Sequence, residues 1–244
     1  MKNFTLLILT LSLFTGCSNN DDDNEIQIGI KELSYTLRLK NNPADLIYNQ
    51  EYTIENEKVL SVKYTNYNNP EFSYFSTFEY DENNRIVKEI REDEIYREII
   101  WINNVAKVYD NQNQLISEFE FTNSLISNYK LYEMNGIRIR NLNYDSNDNV
   151  ISIGDENGVI VEFLDYEPIL NPLSLISSID ILRIDYKPHF KNVFKTEKVY
   201  PFEGEDFSHS LRFYNYQWTL GQDQLIHTME DEKTAIYTSV FEYN

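Results

Sequence analysis

The chain predicts a mainly β protein, an antiparallel β-meander forming a curved sheet or an incompletely closed barrel, with one short helix near residues 171–182. Three observations point there. Tyr (19) and Phe (14) are abundant while Gly (7) and Pro (6) are scarce, and aromatic side chains fit a pleated, half-buried surface. Several segments alternate apolar and polar residues with period two, the mark of a half-buried strand. Asn- and Asp-centred turn signals separate them, several at a ten- to twelve-residue spacing, which is the rhythm of a meander.

The strands justify themselves one by one. Residues 74–80 place Tyr74, Phe78 and Tyr80 on one face; Phe119 and Phe121 oppose Glu118 and Glu120; residues 234–243 gather Ala235, Tyr237, Phe241 and Tyr243. One-sided patterns of this kind suit antiparallel strands with one face on a core. Between Ile137–Ile139 and Leu142–Tyr144 the phase slips, which predicts a bulge near Arg140-Asn141. Turns are expected near Asn56-Glu57, Asn83-Asn84, Asn103-Asn104, Gln112-Asn113, Asn123-Ser124, Asn135-Gly136, Asn147-Asp148 and Asn157-Gly158. Asn tolerates the left-handed conformation of tight hairpins, and Asn-Gly is the strongest such signal.

One departure from β follows. Asn171 is a good helix cap and Pro172 a good first helical residue. Leu175, Ile179 and Leu182 then share a face, so the helix is expected on the concave side of the sheet. Glu203-Gly204-Glu205-Asp206 reads as an exposed loop. The turn rhythm persists on both sides of Asn171 without a linker, so residues 26–244 are read as a single β-rich domain.

The N-terminus carries an address. Lys2 provides a basic start, Phe4–Phe14 is an apolar run, and Thr15-Gly16-Cys17 closes it. The run falls well short of the roughly 20 residues that span a bilayer and has the plan of a cleaved secretory signal. Cys17 is the single cysteine of the chain. The pattern resembles the signal peptide of bacterial lipoproteins, with Phe14 where Leu is usual. The resemblance implies cleavage after Gly16 (residues 1–16 removed) and lipid attachment at Cys17, whose thiolate is the nucleophile. Two or more acyl chains give stable anchoring. Residues 17–25 then form the lipidated N-terminus and a polar tether. Its run of Asp21, Asp22 and Asp23 resembles the surface-export signal of Bacteroidota lipoproteins, which implies an outer-membrane protein facing the cell exterior.

Three hairpins repeat internally. They start at Tyr80-Asp81, Tyr109-Asp110 and Tyr144-Asp145, and share Tyr-Asp-x-Asn/Gln-Asn/Asp-x-aliphatic-aliphatic. Tyr is expected to end a strand on the packed face, Asp to fold over the turn, and the residue at 84, 113 or 148 to take the strained position. The pattern resembles the YD repeat of Rhs-type shells, where glycine is common at that position. Three units are too few to close such a shell. The chain is more similar to Bacteroidota lipoproteins in which a lipobox precedes a meander, an Asn-Pro-apolar segment (here Asn171-Pro172-Leu173) and a C-terminal aromatic hairpin (here residues 214–244). That resemblance implies a fold and an address, and no activity.

Removing residues 1–16 deletes one charge, Lys2, leaving 20 basic against 40 acidic residues and a formal charge of −20. This argues against nucleic acid, whose phosphates need Lys and Arg, and against a basic patch on anionic lipid. With Cys17 acylated no disulfide forms, so the fold stands on its core. No catalytic constellation, cofactor motif or metal set is read. His189, His209 and His227 lack metal-ligand spacing, and no nucleophile elbow or phosphate loop is present. Asp145, Asn147, Asn149 and Glu156 match EF-hand offsets, but Val150 stands where that loop needs glycine, so an ordinary turn is the reading. Trp101 and Trp218 are candidates for stacking on sugars, with burial in the core as the plainer alternative.

These readings predict a membrane-anchored, cell-surface lipoprotein acting as a non-enzymatic binding or interaction module. It meets the membrane through its acylated N-terminus and takes a glycan or protein partner. The alternatives are a carrier of an apolar ligand in an open barrel, lidded by the 171–182 helix, and a carboxylate-based glycan hydrolase.

Overall fold

The computed structural model describes residues 30–42, 44–182, 191–200, 212–231 and 237–244. Gly16, Cys17, Asp21–Asp23, Ala235, His189, His209 and residues 203–206 lie outside them. The strands are β1 (Glu32–Leu39), β2 (Leu46–Glu55), β3 (Lys58–Asn66), β4 (Tyr74–Tyr80), β5 (Ile86–Arg91), β6 (Glu94–Ile102), β7 (Val105–Asp110), β8 (Leu115–Thr122), β9 (Leu125–Glu133), β10 (Gly136–Tyr144), β11 (Val150–Asp155), β12 (Gly158–Leu170), β13 (Asn192–Val199), β14 (Arg212–Leu220), β15 (Ile226–Asp231) and β16 (Tyr237–Tyr243). Each pairs antiparallel with its neighbour in sequence. β16 also pairs with β1, from Leu33↔Tyr243 to Leu39↔Tyr237, which closes a 16-strand barrel.

The expected curved sheet or incompletely closed barrel is therefore corrected to a closed one. Closure joins the two ends of the described chain, and no local pattern announces so distant a pairing. Its physical gain is that neither terminal strand is left as an open edge.

Alternation sets the two faces of the wall. Inward-facing Leu33, Val59, Val108, Phe119, Phe163 and Phe241 are almost wholly buried. They belong to one apolar cluster that also takes in Ile176, Ile179, Ile181 and Leu182. Sixteen strands commonly enclose an aqueous channel; here the inward faces carry this apolar cluster together with buried Glu89, Arg97 and Glu197.

The outer face is polar at mid-strand. Glu51 pairs with Lys63 at 3.0 Å, Glu79 with Lys88 at 2.7 Å, and Glu162 with Lys198 at 2.8 Å. Glu118 is shared by Lys107 at 3.2 Å and Lys130 at 2.8 Å. Asn128–Asn141 and Asn143–Ser152 are cross-strand hydrogen bonds on the same face. Membrane-spanning barrels turn an apolar band outward, where each Lys or Arg at mid-bilayer costs about 2–4 kcal/mol. Here Phe75, Ile100, Ile137, Ile139 and Leu164 are exposed as well, so the wall is mixed, with ion pairs at mid-strand where such a band would be apolar.

The expected turns fall where the hairpins reverse. Asn56 and Glu57, Asn123 and Ser124, and Asn84, Asn103, Asn113 and Asp148 all have positive φ, and Gly136 and Gly158 have φ 138°. A further two-residue turn, Glu92-Asp93 (φ 50° and 65°), has no Asn or Gly to signal it. The bulge near Arg140-Asn141 is not observed. Pairing of β10 with β9 is continuous from Gly136 to Asn141, and the shift lies between Asn143 and Tyr144. Ile137 and Ile139 simply face out and are exposed, so no bulge is needed to reconcile the phases.

Residues 172–182 form a 3-10 helix, kinked at Ile176, with the Asn171 side chain accepting from the Leu173 N–H at 3.1 Å. Ile179 and Leu182 of the expected face lie in the core and Leu175 packs against it, and the kink adds Ile176 and Ile181. Ile176, Ile179, Ile181 and Leu182 are buried, whereas Leu175 is half-buried.

Candidate functional site

Five aromatic side chains form a rim at one end of the barrel, the end where β1 begins and β16 stops. Each lies in the closing part of an even-numbered strand and donates to a carbonyl at the start of the strand before it. The pairs are Tyr80–Val59 (2.8 Å), Trp101–Ile86 (2.9 Å), Tyr144–Ile126 (2.7 Å), Tyr166–Val150 (2.5 Å) and Tyr243–Ile226 (2.6 Å). Register shifts explain the acceptors. The ladders skip Leu60, Val87, Ser127, Ile151 and His227, each the residue next to an acceptor. A bulge disrupts the ladder locally, and a buried carbonyl needs a partner. The aromatic N–H or O–H supplies it.

Two of the three repeat turns, those after β4 and β10, sit around this frame; the third, after β7, lies at the opposite end of the barrel. Asp81 Oδ1 accepts from the N–H groups of Asn83 and Arg85 at 2.9 Å, and Asp145 Oδ1 from those of Asn147 (2.8 Å) and Asn149 (2.9 Å). Asp110 does the same with Gln112 and Gln114, at 2.9 and 2.8 Å. Tyr80 and Tyr144 point inward at the rim. Tyr109 does not: Ala106 and Val108 take the buried positions of β7, so alternation turns Tyr109 outward, opposite exposed Glu98. The expectation of a packed face fails there on strand parity. A fourth turn of the same form, Gly221–Leu225, lacks the Asp. A Cβ at 221 would collide with the His227 ring, and Asp223 takes over the capping of Leu225 at 3.0 Å.

The helix enters the barrel at this end, leaving β12 at Asn171, and is fixed along one side. Ser178 Oγ accepts from the Val59 N–H at 3.2 Å and lies 3.2 Å from the Tyr80 hydroxyl. The Leu182 carbonyl accepts from Arg97, which also pairs with buried Glu89 at 3.3 Å. Arg91, bonded to Glu89 at 2.7 Å, is held between the rings of Tyr74 (3.8 Å) and Tyr96 (3.6 Å). The helix is thus a plug pinned toward β3–β6.

Pinning it to one side leaves a gap on the other. A cavity of about 510 Å³ separates the helix from the rim of β5–β11. The barrel wall contributes Ile86, Trp101, Phe121, Ile126, Tyr144 and Val150; the helix contributes Ser174, Ser177, Ser178, Asp180 and Ile181; Arg85, Asp148 and Lys191 stand at its edge. Arg85 is paired with Asp81 at 2.7 Å and lies over the Trp101 ring at 4.8 Å. Burial first, then the charges of Asp180 and Asp148, raise the Tyr144 phenol above its ordinary pKa.

Of the sequence candidates, Trp101, Tyr144 and Asp148 meet here. Tyr80 lies behind the helix, and Trp218 lines a separate groove with Asp165, Lys195 and Tyr216. Asp145 is spent on its own turn, and Glu156 sits at the other end of β11, so the EF-hand offsets do not converge. His227 pairs with Asp223 at 3.0 Å on the surface. The helix serines were missed, although the spacing of Ser174, Ser177 and Ser178 places them on one side of a helical turn. Among the described residues no group of three metal-ligating side chains is gathered.

No family model matches the chain, and no curated protein sequence does. Among solved structures it is similar to a porin-like protein from Bacteroides uniformis, at 10% identity and a TM-score of 0.38, over 88% of this chain and 98% of that one. A likeness so slight carries no functional inference.

Proposed function

We propose that this protein is a lipid-anchored, non-enzymatic binding module of the outer membrane, a water-facing barrel held by acylated Cys17 and directed to the cell exterior by Asp21–Asp23. The observation that carries this reading is the polarity of the wall. Ion pairs at mid-strand outside and an apolar cluster inside suit a barrel beside a membrane, not within one. A separate anchor is then needed, and the lipobox-like segment supplies it.

The pinned helix supports a binding module over a carrier. A ligand has room at the mouth, beside the helix. Lys31 is hydrogen-bonded to Asn244 at this same end, so the tether joins the barrel at its mouth. The stretch from Cys17 to Lys31 reaches at most about 50 Å when extended, which keeps the mouth within that distance of the membrane.

The test is fractionation with protease applied to intact cells. Wild-type protein is expected in the outer membrane and cleavable from outside, and Cys17→Ala in the soluble fraction. Membrane retention of Cys17→Ala sinks the anchor; protection until the outer membrane is broken sinks the surface assignment. Turnover of oligosaccharides by the purified protein would overturn the non-enzymatic assignment.

A further inference from the structure

The geometry points to the mouth cavity as a saccharide-binding site, which takes a sugar ring between the aromatic wall of the barrel and the serine-bearing side of the helix. This rests on the reading of the protein as a binding module and names its ligand class.

Two unlike walls make the case. One is apolar, with Trp101, Phe121 and Tyr144; a pyranose offers a matching C–H face, and aromatic rings are amphipathic partners for such surfaces. The facing wall carries Ser174, Ser177 and Ser178. Ser174 donates to the Asn171 carbonyl at 2.7 Å and Ser178 is engaged with Val59 and Tyr80. Ser177, which is exposed, is therefore the hydroxyl that meets the ring hydroxyls, which both donate and accept. Asp148 at the edge accepts strongly from hydroxyls. The volume, about 510 Å³, lies within the roughly 300–1,000 Å³ usual for small-ligand sites. An acyl chain would set Ser177 and the Asp148 carboxylate against hydrocarbon, which is costly. An anion would meet Asp148 and Asp180, with Lys191 as the opposing charge and Arg85 already paired to Asp81.

The experiment uses the full chain in detergent micelles. Trp218→Phe leaves Trp101 as the sole tryptophan, and its emission is followed during titration with cellobiose, maltose and N,N′-diacetylchitobiose into the millimolar range. A saturable shift is expected with at least one disaccharide. Asp148→Asn, which keeps a residue tolerant of the left-handed backbone (φ 63°), should weaken it about tenfold. Ser177→Phe, an exposed position that fills the gap, should abolish it while circular dichroism stays native. No shift with any of the three sugars overturns the proposal, as does a shift that survives Ser177→Phe. Saturable binding of dodecanoate in place of sugar overturns it in favour of an apolar ligand. Each of these failures leaves Cys17-dependent anchoring standing, because fractionation reads that independently.

Discussion

Tyr144 shows what one side chain does in this rim. Its ring packs against the core while its hydroxyl meets the Ile126 carbonyl, next to the residue that the ladder skips. Tyr144→Phe keeps the packing and strands the carbonyl, so a loss of about 1–3 kcal/mol is expected in urea unfolding. A change within error would mean that water serves the carbonyl equally well. Glu118 illustrates the outer face. Hydrogen bonds from Lys130 first, then Lys107, hold its carboxyl below the ordinary range, and Lys198 does the same for Glu162. A depressed folded pKa stabilises the protein above the unfolded value, about 4.3, and that contribution is lost as pH falls through the folded value. Stability should therefore hold above about pH 5 and decline below about pH 4, and Glu118→Gln should decline less steeply. Identical acid limbs for variant and wild type would remove Glu118 from the account.

At the scale of elements, turn chemistry and helix chemistry behave differently. Turns are local, so Asn and Gly announced most of them; Glu92-Asp93 escaped because its left-handed geometry is imposed by the strands it joins. Converting it to an Asn-Gly turn, by Glu92→Asn together with Asp93→Gly, should relieve strain and stabilise by about 1 kcal/mol, read as a rise in Tm. An unchanged or lower Tm would show that the carboxylates there offset the strain. Asn171-Pro172 likewise marks where the helix starts. Its kink at Ile176 and its buried face follow from the space inside the barrel, which periodicity along the segment does not contain.

At the scale of the molecule, wall polarity is what the proposed relation to the bilayer rests on. The strand patterns already show charged residues opposite aromatic ones, as in Phe119 and Phe121 against Glu118 and Glu120. Only closure shows that the face carrying Phe119, Phe163 and Phe241 is the inside. The consequence is measurable in detergent phase separation. Cys17→Ala should partition into the aqueous phase as a folded monomer or small oligomer, and the acylated protein into the detergent phase. Detergent partition of Cys17→Ala would mean that the barrel itself carries a lipid-facing surface.

Strand-forming segments, most hairpin turns and the repeated Tyr-Asp starts were legible in the sequence because each rests on residues close along the chain. Closure of β16 on β1, the outward turn of Tyr109, the pinning of the helix by Val59, Tyr80 and Arg97, and the cavity left beside it were decided by tertiary structure. All four depend on which faces meet across the barrel, and a local pattern cannot carry that. The physical reason is parity: alternation says that two faces differ, and only the closed pairing says which one the core receives.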